Sequence, residues 1–306
     1  MDPDTRFSLP SLLCEEDESS LQETKLVSSP KSEDDLYIRS LIETESKSND
    51  YGCVCVCDDD NSRNWLKCAR LDAVNWIFST REILGFQFRT AYLCLTYFDR
   101  FISRRFIDNG KDWAIQLLCI ACLSLAAKME ELMVPSLSHY KAQGYNFESS
   151  VIQRMELMVL TTLEWKMSCI TPFSYLHHFL PKINDERDYD GFLVSKAIDL
   201  ILDFSKDVNS MDHRPSVVAI ASVLLACDDQ LTRNTMEFKI GVLSSFYSLE
   251  KEHIHSCYNL LKEIQTKKNN TPCSISLTTH WSPSSTVKRK LRFEQSCPLQ
   301  KISRRL

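Results

Sequence analysis

Glycine is scarce in this chain, with six in 306 residues. Phosphate-cradling loops and folds rich in tight turns draw on glycine's access to positive φ, so its scarcity argues against both and favours helices. No GxGxxG, GxxxxGK[ST], HExxH or GxSxG arrangement occurs, which removes the usual phosphate cradle, the zincin helix and the nucleophile elbow. The opening MDPDTRFSLPSLL lacks the charged and continuously apolar regions of a secretory signal. The most apolar run, Trp113 to Met129, is interrupted by Gln116, Ser124 and Lys128 and reads as too short to span a bilayer. Cysteine, by contrast, is plentiful. The 13 cysteines are odd in number, and Cys94, Cys119, Cys122, Cys169, Cys227 and Cys257 lie in apolar segments. They read as free thiols packed in a core, in a reducing compartment.

The net charge of −5 conceals an asymmetry. Residues 1–60 hold 16 acids against 5 bases, and residues 266–306 hold nine bases against one acid, Glu294. What remains is nearly neutral, with 22 bases and 24 acids. An acidic head and a basic tail around a neutral body read as two interaction arms on one folded core. A nucleic-acid-binding body would carry a basic excess, which this one does not.

Residues 1–61 are rich in Asp, Glu, Ser and Thr without sustained periodicity, and are expected to stay disordered because they bury too little to offset ordering entropy. Helical spacing begins near Trp65, with Leu66, Ala69, Ala73, Trp76 and Ile77 in register and Leu71, Val74 and Phe78 widening the stripe. A second helix carries Ala91, Cys94, Leu95, Phe98, Phe101 and Ile102. A third, with Asp112 as its expected N-cap, is apolar nearly all round and should be the central rod of a bundle. A fourth runs from about Ser150 to Leu163 with Ile152, Met155, Met158, Val159 and Leu163 inward. Thr171-Pro172 and Arg214-Pro215 mark helix starts, and further helices are expected at about 172–180, 190–207, 215–229, 235–247 and 249–265. The fold class is therefore all-α: two consecutive helical bundles, 62–168 and 169–265, with a disordered basic tail over 266–306.

Few constellations suggest chemistry. Cys53-Val-Cys55-Val-Cys57 before three aspartates has no Cys/His pair to complete a tetrahedral zinc set, so no metal site and no cofactor are expected. The Cys119/Cys122 pair sits on the apolar rod and reads as packing, and His177-His178, beside aromatics and leucines, reads as structural.

Short motifs say more. Leu12-Leu13-Cys14-Glu15-Glu16 fits LxCxE. In an extended segment Leu12, Cys14 and Glu16 point the same way and can enter one groove together. In the tail, Lys288-Arg289-Lys290-Leu291-Arg292-Phe293 has two readings: a basic nuclear-import cluster, which is favoured, or a docking peptide of the form Arg289-x-Leu291-x-Phe293. Ser29-Pro30, Thr271-Pro272 and Ser282-Pro283 are proline-directed phosphorylation candidates.

The body then resembles a known family. Ala69-Arg70-Leu71-Asp72-Ala73-Val74-Asn75-Trp76-Ile77 is similar to the opening helix of the cyclin box. Tyr97-Phe98-Asp99-Arg100-Phe101 resembles its second helix, Leu117-Leu118 through Lys128-Met129-Glu130-Glu131 its third, and Arg154-Met155-Glu156-Leu157 with Val159-Leu160 its fifth. LxCxE near the start makes the chain similar to D-type cyclins, and with the basic ending most similar to the fifth plant subgroup. The resemblance implies two cyclin boxes and a non-catalytic activator of a cyclin-dependent kinase that is steered to a retinoblastoma-related pocket protein at G1/S entry in the nucleus. It implies that Lys128 and Glu156 serve the kinase interface, with Leu117 an apolar position of that interface or of the core, that Arg70 and Asp99 form an internal ion pair, and that Leu12, Cys14 and Glu16 bind the pocket protein. Trp76 and Gln116 resemble members of a groove for RxL-bearing substrates, with core packing as the other reading, and Asn75 stands where the family often has an acid. Kinase inhibitors are implied as further partners; nucleic acid and membrane are not. The alternative is a cyclin-fold transcription factor, which predicts a basic body.

Overall fold

A computed structural model describes residues 30–47, 60–105, 107–108, 110–142, 144–184, 191–227, 233–247 and 249–270. Among these residues there are ten α-helices and no strand. Helices α2 (Asp60–Leu84), α3 (Phe88–Arg104), α4 (Asp112–Glu130) and α5 (Ser149–Thr162) form a first bundle. Helices α6 (Phe173–Ile183), α7 (Gly191–Lys206), α8 (Pro215–Cys227), α9 (Arg233–Phe246) and α10 (Lys251–Asn270) form a second.

Helix α4 is the expected rod. It packs against α2, α3 and α5, and Ile115 through Ala127 are buried without interruption. The helix has 19 residues, so length alone would let it cross a membrane, but most of it is enclosed by the bundle. Enclosure rather than shortness thus separates it from a spanning segment. Its cap also differs from expectation. Lys111 holds the N-cap position, and Asp112 is the first helical residue, where a carboxylate favours the positive end of the helix dipole. Helix α8 repeats the design in the second bundle. Pro215 through Ala226 are all buried, and α6, α7 and α10 surround them.

Between α2 and α3 the chain turns at Gly85, whose φ of +71° lies in the left-handed region. The Phe86 N–H then reaches the Arg81 carbonyl at 3.0 Å, closing the helix in the Schellman manner. The α3 stripe is buried as expected, whereas Leu71 and Met158, expected inward, are exposed. Cys94, Cys119, Cys122 and Cys257 are buried free thiols, and burial pushes all four well up from the ordinary thiol range.

The largest departure is α1 (Pro30–Lys47), which lies inside the span read as a disordered arm. Ile38 and Ile42 are buried in the core of the second bundle, with Leu41 packed against it. Burying two isoleucines gives roughly 3–6 kcal/mol before ordering entropy is subtracted. Two acids pin the ends. Asp35 Oδ1 meets Lys182 Nζ, the Tyr247 hydroxyl at 2.8 Å and His178 Nε2 at 3.1 Å. Glu45 accepts from the Tyr175 hydroxyl at 2.8 Å and from the Ser216 hydroxyl and N–H at 2.7 and 3.2 Å. Ser216 is the second residue of α8, so Glu45 satisfies an otherwise orphaned N-terminal donor from another helix. His178 is therefore part of the α1 contact as well as of the core.

The two bundles are bolted together. Arg70 of α2 forms a bidentate pair with Asp99 of α3 at 2.8 and 2.9 Å. The same guanidinium donates to the Ser205 carbonyl at 3.1 Å and to those of Lys206 and Asp207 at 3.4 Å, at the end of α7. Phe173 of α6 meets Phe88 and Tyr92 edge-on at 4.9 and 5.2 Å, and Lys206 lies over the Phe78 ring. In the connector, the Met167 carbonyl accepts from the Tyr97 hydroxyl at 2.6 Å and that of Lys166 from Arg100 at 2.8 Å.

Candidate partner-docking site

A charged pair and a stretch of exposed apolar residues stand together at the exit of α4. Lys128 stands in the last turn of α4, where a cation suits the helix C-terminus. Its Nζ lies 2.7 and 2.8 Å from the two carboxylate oxygens of Glu156 on α5. The partners differ in exposure: the Lys128 side chain is 46% accessible and that of Glu156 9%. Glu156 is thus the buried half, fixed on a helix face between Met155 and Leu157, while Lys128 offers donors outward.

Around the pair, apolar side chains project into solvent. Met129 follows Lys128, Leu157 and Met158 follow Glu156, and the segment leaving α4 presents Leu132 at 100% and Met133 at 85% exposure. Just past α5, beside the far end of α3, where Arg104 donates to the Thr162 carbonyl at 3.1 Å, Trp165 is 65% exposed. It is held there by two consecutive left-handed residues, Glu164 at φ 54° and Trp165 at φ 60°, a conformation that costs energy in residues other than glycine. The Trp165 N–H to Leu160 carbonyl bond of 2.9 Å closes this turn. A charged pair with exposed large apolar groups next to it in the chain, methionines among them, is the composition of a protein-docking surface.

The residues singled out in the sequence divide as follows. Lys128 and Glu156 come together. Arg70 and Asp99 form the internal pair: burial pushes the Asp99 carboxyl up while Arg70 pulls it back. The pair also reaches the second bundle, beyond its expected role within the first. Leu117 is only 6% exposed inside the first core, so it supports the α4 surface from beneath and offers no face to a partner. Trp76 and Gln116 are likewise buried, as the core-packing reading has them, and the Gln116 amide has neither its oxygen nor its nitrogen hydrogen-bonded. Leu12, Cys14 and Glu16, the cysteines at 53, 55 and 57, and Lys288, Arg289, Lys290, Leu291 and Phe293 lie outside the described residues, as do residues 1–29 and 48–59 of the expected acidic arm and 271–306 of the expected basic tail; residues 266–270, expected in that tail, instead continue α10. Among the described residues no His, Cys, Asp and Glu group could hold a metal ion.

Sequence reasoning missed Met129, Leu132, Met133, Leu157, Met158 and Trp165. The signal for Leu132 and Met133 was there: with Val134 they form a run of large apolar residues just past the end of a helix, before Pro135. Trp165 gave none, since only the left-handed turn exposes it.

Comparisons with known proteins agree with this architecture. Residues 37–168 match the family "Cyclin, N-terminal domain" and residues 170–288 match "Cyclin, C-terminal domain"; the first match begins inside α1. The chain is 37% identical over 330 residues to Cyclin-D5-1 of Arabidopsis thaliana, covering 98% of each. It is 42% identical over 205 residues to Cyclin-D5-1 of Oryza sativa subsp. japonica, covering 65% of this chain and 55% of that one. Among solved structures it resembles a viral cyclin from herpesvirus saimiri, with a TM-score of 0.53 at 14% identity over 65% of this chain and 85% of that one. It also resembles a chain of the yeast RNA Pol II CTD kinase CTDK-1 complex, with a TM-score of 0.51 at 14% identity over 70% and 68%. Two stacked helical bundles, the Arg70–Asp99 bolt and these matches together place the chain in the cyclin family, among its plant D-type members.

Proposed function

We propose that the chain is a non-catalytic activating subunit of a cyclin-dependent serine/threonine kinase, and that the corner built on Lys128 and Glu156 is where the kinase docks. The observation that carries this is the pairing of those two side chains, with exposed Met129, Leu132 and Met133 following Lys128 at the exit of α4. An apolar helix of a partner can bury those side chains, while Lys128 and the rim of Glu156 set its register. A docked cyclin favours the kinase state whose C-helix is swung in, completing the kinase's own Lys–Glu pair. The bundle supplies shape, and every catalytic group comes from the partner.

In this reading Leu12, Cys14 and Glu16 tether a retinoblastoma-related protein and raise its local concentration at the kinase. The basic cluster at Lys288–Lys290 carries the complex into the nucleus, and the outcome is phosphorylation that promotes G1/S entry. The nearly neutral body disfavours the transcription-factor alternative, and a salt-dependent gel shift with DNA would expose it. The test is co-purification with a cyclin-dependent kinase and assay of pocket-protein phosphorylation. Lys128→Ala with Glu156→Ala should abolish both capture and activation, and unchanged activity would refute the assigned face.

A further inference from the structure

We infer that Glu131 is a positioning residue of the docking corner: its carboxylate caps α3 from outside and thereby holds the exposed segment 132–134 where a partner meets it. This rests on the proposed kinase-docking role of that corner.

Helix α3 begins without help from its own sequence. Gln87 occupies the N-cap position in extended conformation, and its side chain makes no capping bond. In a capping box, an acid at the third helical position returns to the N-cap N–H; here that position is Thr90, too short to do so. Glu131, the first residue beyond α4, supplies the missing carboxylate. Its Oε1 accepts from the Gln87 N–H at 2.7 Å and from the buried Thr90 hydroxyl.

The backbone makes the tie stiff. The Glu131 N–H still donates to the Ala127 carbonyl at 2.9 Å, so Glu131 belongs to the end of α4 while its side chain belongs to the start of α3. Three residues earlier, Lys128 binds α5. The C-terminus of α4 is therefore fastened on two sides, and Leu132, Met133 and Val134, all exposed, leave from the fastened point. Without the Glu131 bond, the segment hangs from a helix end free to fray, and a partner must order it on binding, which weakens affinity.

The test compares Glu131→Ala, Glu131→Gln and Ile201→Val in the full chain. Glu131→Gln keeps an oxygen acceptor, and Ile201→Val trims the second core to report what ordinary destabilisation does to binding. In the free protein, Glu131→Ala should speed amide exchange in 128–135 and at Gln87 by about tenfold, the scale of one lost cap, with residues 215–227 unchanged. Affinity for a cyclin-dependent kinase captured by the intact chain should fall about tenfold in the same variant. Glu131→Gln should restore both to within about threefold. Unchanged exchange in 128–135 would overturn the inference, as would an affinity loss no larger than that of Ile201→Val at matched melting temperature. Failure of the intact chain to capture any kinase would instead sink the proposed function, and the exchange result would still decide the role of Glu131.

Discussion

The two bundles share one plan and differ at one corner. Each has an apolar rod, α4 or α8, walled by its neighbours. At the exit of α4 stand Lys128 paired with Glu156, Glu131 capping α3, and a fringe of exposed Met and Leu. Helix α8 ends at Cys227 with no charged residue in its last turn. The exposed Phe192 and Phe238 of the second bundle sit far apart in the chain, on α7 and α9. A core of this kind therefore specifies a fold; on the proposed reading, what separates the docking face from the scaffold is the treatment of a helix end. The second bundle spends its polar side chains inward, accepting α1 through Tyr175 and Ser216 and receiving Arg70 on its carbonyls.

Breaking the bolt between the bundles should have the largest effect. Arg70→Ala leaves Asp99 buried with only the upward push of burial on its carboxyl, and orphans carbonyls at the end of α7. Stability should fall by about 3–5 kcal/mol, as when one member of a buried pair is removed, read by urea denaturation. A loss under about 1 kcal/mol would show that the bundles do not depend on this contact.

Removing the latch of α1 should cost less. Glu45→Ala leaves Ser216 and Tyr175 without their acceptor, a loss of about 1–3 kcal/mol that should appear first as faster exchange in residues 30–47. Burial raises the Glu45 carboxyl above 4.5 against the pull of its Ser216 and Tyr175 bonds. A raised acid contributes most below its unfolded pKa, and that contribution is lost as pH rises through the folded value. Glu45→Gln should therefore gain on the wild type as pH rises above about 4.5, measured by thermal melts across pH. A gain on acidification instead would reverse the assignment.

Legibility in the sequence followed the range of the interaction. The rods, the α3 stripe and the proline-led starts were readable because periodicity is local. Arg70–Asp99 was readable only through resemblance, and its hold on α7, 135 residues away, through nothing. Helix α1 was hidden by averaging: Asp, Glu and Ser dominate its composition, yet Ile38, Leu41, Ile42 and Glu45 fall at 0, 3, 4 and 7, a helical stripe whose last member is a charge. An acid on an apolar stripe reads as a break until its partners are known, and those lie 130 and 171 residues away. Glu131 reads only as the end of a family motif, since its partners Gln87 and Thr90 lie 44 and 41 residues away.

The smallest effect on folding should accompany a clear effect on binding. Leu132→Ser with Met133→Ser should leave stability within about 0.5 kcal/mol and weaken kinase capture about tenfold, whereas Phe238→Ser in the second bundle should leave capture unchanged in the same titration. Equal losses from both would erase the distinction drawn between the bundles.

The most direct measurement exchanges the charges of the corner. A chain carrying Lys128→Glu with Glu156→Lys keeps an ion pair between α4 and α5 but presents the opposite sign to a partner. Its affinity for a cyclin-dependent kinase, set beside its melting temperature, separates a brace from a docking contact. The account predicts a fold nearly as stable as wild type and affinity reduced at least 100-fold; wild-type affinity in the swapped chain would contradict it.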